Sequence, residues 1–474
     1  MVDADVVART VDAQWAHAVP VLEQYIRIPA KSPAFDADWA ANGHLAAAVE
    51  LIRAWCSEHT PDDASVEVHE VEGRTPVVVI DVPASPGIER TDTVLLYGHL
   101  DKQPEMTGWR EGLGPWTPVI ENDRLYGRGG ADDGYSAFAI TAALEAVRRA
   151  GGSHQRCIAL IEASEESGSP DLPAHLEKLS DRLGDVSLVV CLDSGAADYD
   201  ALWMTTSLRG TIQAQLRVDV LERGMHSGLT GGLAPSSVRI LRQLLDRIED
   251  STTGEILLDR FQVNIPGKRI TEAQAAAAAG VDPRVDVAFV GDTRSDAVDA
   301  TSALLQTTWL PVMTTIGIDG VPALADAGNV MRPYTTLGLS FRIPPTCDPE
   351  TAIEQLRRVL ESDPPSGAKV ELTIIESSAG WNASPTDEWL VEALDAASCT
   401  HFGRPPGWWG LGGSIPFMAL LGDRYPNAQF VITGVLGPDS NAHGPNEFLH
   451  LPTGRRVSAC VAQVLDAHAN RPGP

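Results

Sequence analysis

Short apolar runs rich in Val, Leu and Ile punctuate the first part of the chain: "TPVVVIDV" (75–82), "TVLLYGHL" (93–100), "CIALIEA" (157–163) and "SLVVCLD" (187–193). Each has the length and composition of a strand buried on both faces. Between the second and third lies "DGYSAFAITAALEAVRRAGG", where Phe138, Ile140, Ala143, Leu144 and Val147 fall at spacings that suit one face of a helix. Arginines near its end, followed by Gly151 and Gly152, predict where it stops. Strand, helix and strand in this order predict an α/β fold built on a mostly parallel sheet with helices on both faces.

The pattern changes near Arg209. "TIQAQLRVDV" and "YTTLGLSFRIPP" (334–345) alternate apolar and polar positions, as half-exposed strands do. "SSVRILRQLLDRIED" and "TAIEQLRRVLES" read as helices and "AKVELTIIES" as a further strand, whereas the alanine-rich "TEAQAAAAAGVDPRVD" suits either a helix or a mobile arm. Beyond Trp381 the chain returns to helix and buried strand in "WLVEALDAASCTHFG" and "AQFVITGVLG". The expectation is one α/β domain over 1–208 and 381–474, interrupted by an inserted α+β domain over 209–380.

Composition narrows the function classes. A formal net charge of −28, from 64 acidic and 36 basic residues, disfavours contact with a phosphate backbone, so nucleic acid is not expected as a partner. No segment offers the roughly 18 consecutive apolar residues of a spanning helix, so no membrane partner is expected. The amino terminus lacks the pattern of a secretion signal. The six cysteines are scattered without paired spacing and read as buried thiols of a reducing, cytoplasmic compartment.

Candidate chemistry collects where the strands end. "YGHLD" carries His99 and Asp101, two apart and on the same side of an extended chain. A carboxylate behind an imidazole is the usual way to orient a metal ligand. "GRGGADDG" supplies Asp132 and Asp133, "EASEESGS" Glu165 and Glu166, "CLDSG" Asp193, and "NAHGPNE" His443. Each alone has a plain structural explanation: an Asp before a helix is a cap, and Asp133 suits a first turn. Together, five segments present His, Asp or Glu at the sheet edge where α/β proteins bind ligands. Two imidazoles and three carboxylates suit one or two zinc-like ions better than calcium, which takes more oxygen ligands.

The ordered motifs "HLD", "GRGGADD", "EASEESGS", "LDSG", "GMHSGLTGG", "SFRIPP", "GGSIP" and "NAHGPNE" resemble the dinuclear zinc metallopeptidases that include carnosinase, cytosolic non-specific dipeptidase, carboxypeptidase G and acetylornithine deacetylase. The resemblance covers about 95–450 and is closest to the carnosinase-like dipeptidases. It implies two divalent ions, zinc foremost, with manganese and cobalt able to use the same ligands. It makes Asp132 the bridging ligand, with His99 and Asp193 completing one metal site and Glu166 and His443 the other. Asp101 would orient His99, and Glu165 would be the general base toward water activated between the ions. The inserted domain would be a lid that pairs two subunits in a homodimer, bringing His226 to the partner's site as an oxyanion donor. Arg342 would bind the substrate carboxylate, with Gly412, Gly413 and Ser414 offering further donors and Asn329 nearby.

Two departures from the family pattern stand out. Carnosinase-like members read Asp-Asp-Lys-Gly where this chain has Asp132, Asp133, Gly134 and Tyr135, and close relatives tend to carry Glu where Leu411 stands. Loss of that acid, with Trp408 and Trp409 just upstream, suits an apolar or acylated amino side, although paired tryptophans also serve as packing anchors. The expected activity is hydrolysis of an amide bond in a small peptide bearing a free carboxylate. An N-acyl-amino-acid deacylase or carbamoylase is the alternative within the enzyme class, and a non-catalytic dimeric binding protein the alternative outside it.

Overall fold

The apolar runs of the first part of the chain lie side by side in the computed structural model, which describes residues 2–285 and 287–472. Strands β1 (Ser65–His69), β2 (Val77–Val82), β3 (Thr93–His99), β4 (Arg156–Glu162), β5 (Val186–Cys191) and β6 (Gln429–Ile432) form one sheet in the order β1-β2-β4-β3-β5-β6. The pairings β4–β3, β3–β5 and β5–β6 are parallel, while β1–β2 and β2–β4 are antiparallel at one edge.

Helices α1 (Ala4–Arg27), α2 (Ser136–Arg149) and α3 (Leu451–Ala469) pack on one another. Val94 and Leu96, Ala159 and Ile161, and Leu188 and Val190 share a core with Phe138, Leu144 and Val461 from those helices. The intervening Leu95, Ile158, Leu160 and Val189 are buried as well, which is why these strands read as unbroken apolar runs. Helix α2 ends at Arg149, and Gly151 follows in a left-handed conformation at φ 68°.

The chain forms two compact units: Met1–Thr205 with Ala383–Trp408 and Leu420–Pro474, and Thr206–Asn382 with Trp409–Ala419. In the second unit an antiparallel sheet runs in the order Val312–Asp319, Tyr334–Ile343, Gly210–Asp219, Lys369–Ser378. Its alternating positions Ile212, Leu216, Leu339 and Phe341 bury against Ile240 and Leu244 of helix Ser237–Leu245 and Leu356 of helix Pro349–Glu361. The alanine-rich stretch forms the helix Gly267–Ala278. One expectation needs correction: Cys399 is exposed on helix Glu388–His401, whereas the other five thiols are buried.

A buried histidine ties α3 to the sheet. His468 Nε2 lies 2.9 Å from the Ser187 hydroxyl of β5, whose proton goes to Asp92, and His468 Nδ1 has no hydrogen-bond partner among the described residues. Burial, followed by the nearby Arg471 guanidinium, lowers this imidazole to about 3, against the opposing pull of Asp92. An unfolded histidine titrates near 6.5, so between these values the unfolded chain binds a proton that the folded chain refuses. Folding stability therefore falls as pH drops from about 6.5 toward about 3. Replacing His468 with Leu is expected to flatten this slope. Urea midpoints at about pH 7 and about pH 4.5 should differ less in the variant than in the parent.

Candidate metal centre

The parallel strands deliver their acids to a single edge. His99 closes β3 directly across from Glu162 at the end of β4, and Asp193 stands two residues beyond β5. Between β3 and α2, a glycine-rich turn carries Asp132 and Asp133, whose shared peptide bond is cis. Glu165 and Glu166 open a short 3-10 turn that ends at Gly168, left-handed at φ 86°. Alternation along an extended chain would part these two acids. The strand instead stops at Glu162, and it is the rotation of about 120° per residue in the 3-10 turn that separates them.

Asp101 holds this turn and His99 together. One carboxylate oxygen accepts the Glu165 N–H at 3.1 Å, and the other accepts the Glu166 N–H at 3.0 Å. His99 Nδ1 lies 3.1 Å from the Asp101 carbonyl and 3.5 Å from its carboxylate, so the other ring nitrogen, Nε2, faces the acids.

Asp132 sits between two histidines. Its Oδ1 is 3.3 Å from His99 Nε2, and its Oδ2 is 3.0 Å from His443 Nε2. His443 Nε2 is also 3.3 Å from Glu166 Oε2, while His99 Nε2 lies 3.8 Å from Asp193 and 3.9 Å from Glu165. His443 reaches in from a loop where its own backbone is left-handed, at φ 63°.

The electrostatics of this cluster follow from burial. Burial and the neighbouring Asp193 push the Glu165 carboxyl well above the usual carboxylate range, and burial and Asp132 do the same to Glu166. Burial raises Asp193 to about 6. Asp132 moves the other way: burial opposes its charge, but hydrogen bonds from His443 and His99 outweigh that cost. Burial also opposes charge on His99, yet Asp101 and Asp132 carry its imidazole well above its ordinary value.

These residues fit divalent ions. Asp101, Asp132, Glu165, Glu166 and Asp193 form ion pairs with His99 and His443 alone among the described residues, so the acids outnumber the bases. The donor atoms of His99, Asp132 and Glu166 lie within 4.8 Å of one another, as do those of His99, Glu165 and Asp193. Mixed imidazole and carboxylate donors at a charge deficit suit zinc, manganese or cobalt.

Three residues around the cluster have functions that their motifs did not signal. Asp133, read as a first-turn acid, accepts the His99 N–H at 3.1 Å, and its other oxygen is buried without a partner among the described residues. Glu162, read as the end of a strand, bonds Tyr97 and Ser169, and burial raises it to about 7. Gln103 donates its amide to Glu166 Oε2 at 2.6 Å. Its place four residues past His99 was the available signal.

The remaining candidates lie in the second unit. His226 is exposed, and its Nδ1 accepts the Gly228 N–H at 3.1 Å. It pairs in register with Val330, and the Asn329 carbonyl accepts the Ser227 N–H at 2.9 Å, so His226 and Asn329 are neighbours. Arg342 donates to the Ser414 hydroxyl at 3.1 Å, and that hydroxyl donates to the Arg209 carbonyl at 2.6 Å. Arg209, absent from the motif reading, binds the Gly412 carbonyl through Nε at 3.1 Å. Burial, followed by repulsion from Arg342, lowers its guanidinium to about 10. Gly413 is exposed in the same loop. In the first unit, Trp408 packs against the hydrophobic core as an anchor.

Comparison with known proteins bears on this cluster. Residues 95–467 match the description of peptidase family M20/M25/M40. The cysteinylglycine-S-conjugate dipeptidase of Corynebacterium striatum is 28% identical, over 88% of this chain and 93% of its own. The human beta-Ala-His dipeptidase is 26% identical over 82% of this chain and 76% of its own. The solved structure of the di-peptidase Dug1p from Saccharomyces cerevisiae superimposes with a TM-score of 0.76 at 22% identity, covering 99% of both chains, and shows the same fold. No helix among the described residues is long and apolar enough to cross a membrane. The chain belongs to peptidase family M20/M25/M40 and is an enzyme of metal-dependent peptide hydrolysis.

Proposed function

We propose that this chain is a dipeptidase-like exopeptidase whose two metal ions share Asp132. The observation that carries this reading is the placement of the two Asp132 oxygens, one toward His99 and the other toward His443. His99 and Asp193 would complete one site, and Glu166 and His443 the other, with zinc the ion that best suits the donors. When bound, these ions acidify water and polarise a carbonyl oxygen.

The chain's own residues do the rest. Asp101 fixes the His99 ring and, by accepting both N–H groups of the acid turn, sets the separation of Glu165 and Glu166. Gln103 donates to Glu166 Oε2, the oxygen that also faces His443 Nε2, and so orients the carboxylate that would serve as a ligand. Glu165 takes a proton from the attacking water and returns it to the leaving amine. Its burial supports this role, because a carboxyl kept above its usual range is a better proton acceptor.

Substrate selection would rest with the second unit. Arg342, joined to Ser414, is the group we assign to the substrate carboxylate, with Gly412, Gly413 and Asn329 around it. The names of the relatives describe dipeptide hydrolysis, which supports a small peptide as substrate, and the unpaired cysteines support a reducing, cytoplasmic setting. Leu411, where an acid is expected for a free amine, favours N-acyl amino acids as the second reading. A homodimer through the second unit is supported by the edge strand Val312–Asp319, which leaves Ile316 and Ile318 exposed. His226 would then serve the partner's site as an oxyanion donor.

Four outcomes test this reading. Glu166→Ala should lose divalent metal, whereas Glu165→Ala should keep it and lose at least about a hundredfold in kcat, the contribution of a general base. A Glu165→Ala protein with full turnover removes that residue from the mechanism. Metal titration of Gln103→Leu should show affinity weakened by about 10- to 100-fold, as expected when a ligand loses its supporting hydrogen bond. Co-expression of Glu165→Ala and His226→Ala subunits should restore activity that neither has alone. A released-amine screen against free dipeptides, β-alanyl dipeptides and N-acyl amino acids, repeated with Leu411→Glu, decides the substrate class. An unchanged preference in that variant removes the role given to Leu411.

A further inference from the structure

The end of α1 and the segment that follows it touch three of the loops that carry metal-centre acids, those of Asp101, Asp132 and Glu166, although they precede residues 95–467, the stretch matched to the family. At the first loop, the Tyr25 hydroxyl donates to the Leu100 carbonyl at 2.8 Å, and the Ser32 N–H donates to the Lys102 carbonyl at 3.0 Å. These bonds flank Asp101. At the second, side-chain space at the glycines is taken by the end of α1. A Cβ on Gly127 would lie 2.4 Å from Ile26, and one on Gly134 would lie 2.1 Å from the Tyr25 ring. At the third, Ser167 beside Glu166 bonds the Ser32 hydroxyl and accepts the Ala34 N–H at 2.9 Å.

Lys102 fastens the first two loops to the end of α1. It is fully buried and forms no ion pair with a carboxylate among the described residues. Its ammonium donates to the carbonyls of Tyr25 at 2.7 Å and Ile28 at 2.8 Å, and lies 3.9 Å from the centre of the Tyr25 ring. Those carbonyls belong to the end of α1, where a helix is left with unsatisfied acceptors and a negative dipole. The lysine stem fills the space beside Gly129, where an added Cβ would lie 2.7 Å from it. Gly129, held at φ 78°, opens the turn that carries Asp132.

We propose that residues 25–34 form a strap, latched by Lys102, that positions the loops bearing Asp101, Asp132 and Glu166 before metal binds. The strap is one of two reasons for the glycine at 134, since a Cβ there would lie 2.1 Å from the Tyr25 ring and 2.6 Å from the Gly129 carbonyl of the turn itself. Burying an unpaired ammonium is costly, and its bonds to main-chain carbonyls are lost if either the strap or the 100–103 loop moves away. The consequence for metal rests on the metal-centre reading above, whereas the strap itself does not.

The test uses the full chain with Lys102→Met, Tyr25→Phe and, as a control of similar depth in α1, Trp15→Phe, which removes the fit of an indole bonded to Ser458. Amide hydrogen exchange of the protein as purified is read at 99–103, 129–134 and 164–168. Lys102→Met and Tyr25→Phe should speed exchange there at least about tenfold while Trp15→Phe does not, and chelator competition should show zinc affinity weakened at least about tenfold in the same two variants. The visible spectrum of the cobalt-loaded protein should shift with them. If all three variants lose thermal stability alike and exchange at the loops follows that loss alone, the strap is overturned. Where Lys102→Met does not fold, Tyr25→Phe, the loss of one hydroxyl, decides. A parent protein that binds no zinc would remove the metal-centre reading and leave the exchange comparison to judge the strap.

Discussion

Repulsion among buried carboxylates is the constraint on which the rest of this structure depends. Asp101, Asp132, Asp133, Glu162, Glu165, Glu166 and Asp193 converge at the end of one sheet with two imidazoles for counter-charge. Burial first, and like charges after it, raise the pKa of a carboxyl, and the raised values of Glu165, Glu166 and Asp193 express both costs. Divalent cations would relieve it, which is why a cluster costly in isolation suits a metal-dependent hydrolase.

Holding such a cluster requires that its backbone be fixed from outside. Parallel pairing sets β3, β4 and β5 level, so that His99, Glu162 and Asp193 arrive together. The turns between them have no regular partners, and single residues hold them instead: Asp101 for the acid turn, Asp133 for the His99 backbone, and Gln103 for Glu166. The same logic extends to a second layer, where buried Arg128 pairs with Glu447 and Glu447 in turn accepts the Gly129 N–H at 2.9 Å.

The second unit follows a different physical plan. Its sheet buries one face under helices and leaves alternate positions to solvent, so the polar side chains of its strands remain available for recognition. Arg342 is one such position. Arg209 differs, since it is buried beside a like charge and is held by main-chain carbonyls at Gly412 and Gln306. Two guanidiniums without a carboxylate partner among the described residues mark a place suited to an anion.

Much of this was legible in the chain. Unbroken apolar runs signal strands buried on both faces, alternating runs signal strands buried on one, and acids at strand ends signal a ligand edge, because each pattern reflects a local rule of burial. Residue spacing thus determined the fold class and named His99, Asp132, Glu165, Glu166, Asp193 and His443. It could not show that Asp132 turns its two oxygens toward different histidines, that Gln103 braces Glu166, or that Lys102 reaches back to the end of α1. Those contacts join residues far apart in the chain or turned by irregular loops, and no local period encodes them. Only the tertiary structure brings their atoms within bonding distance.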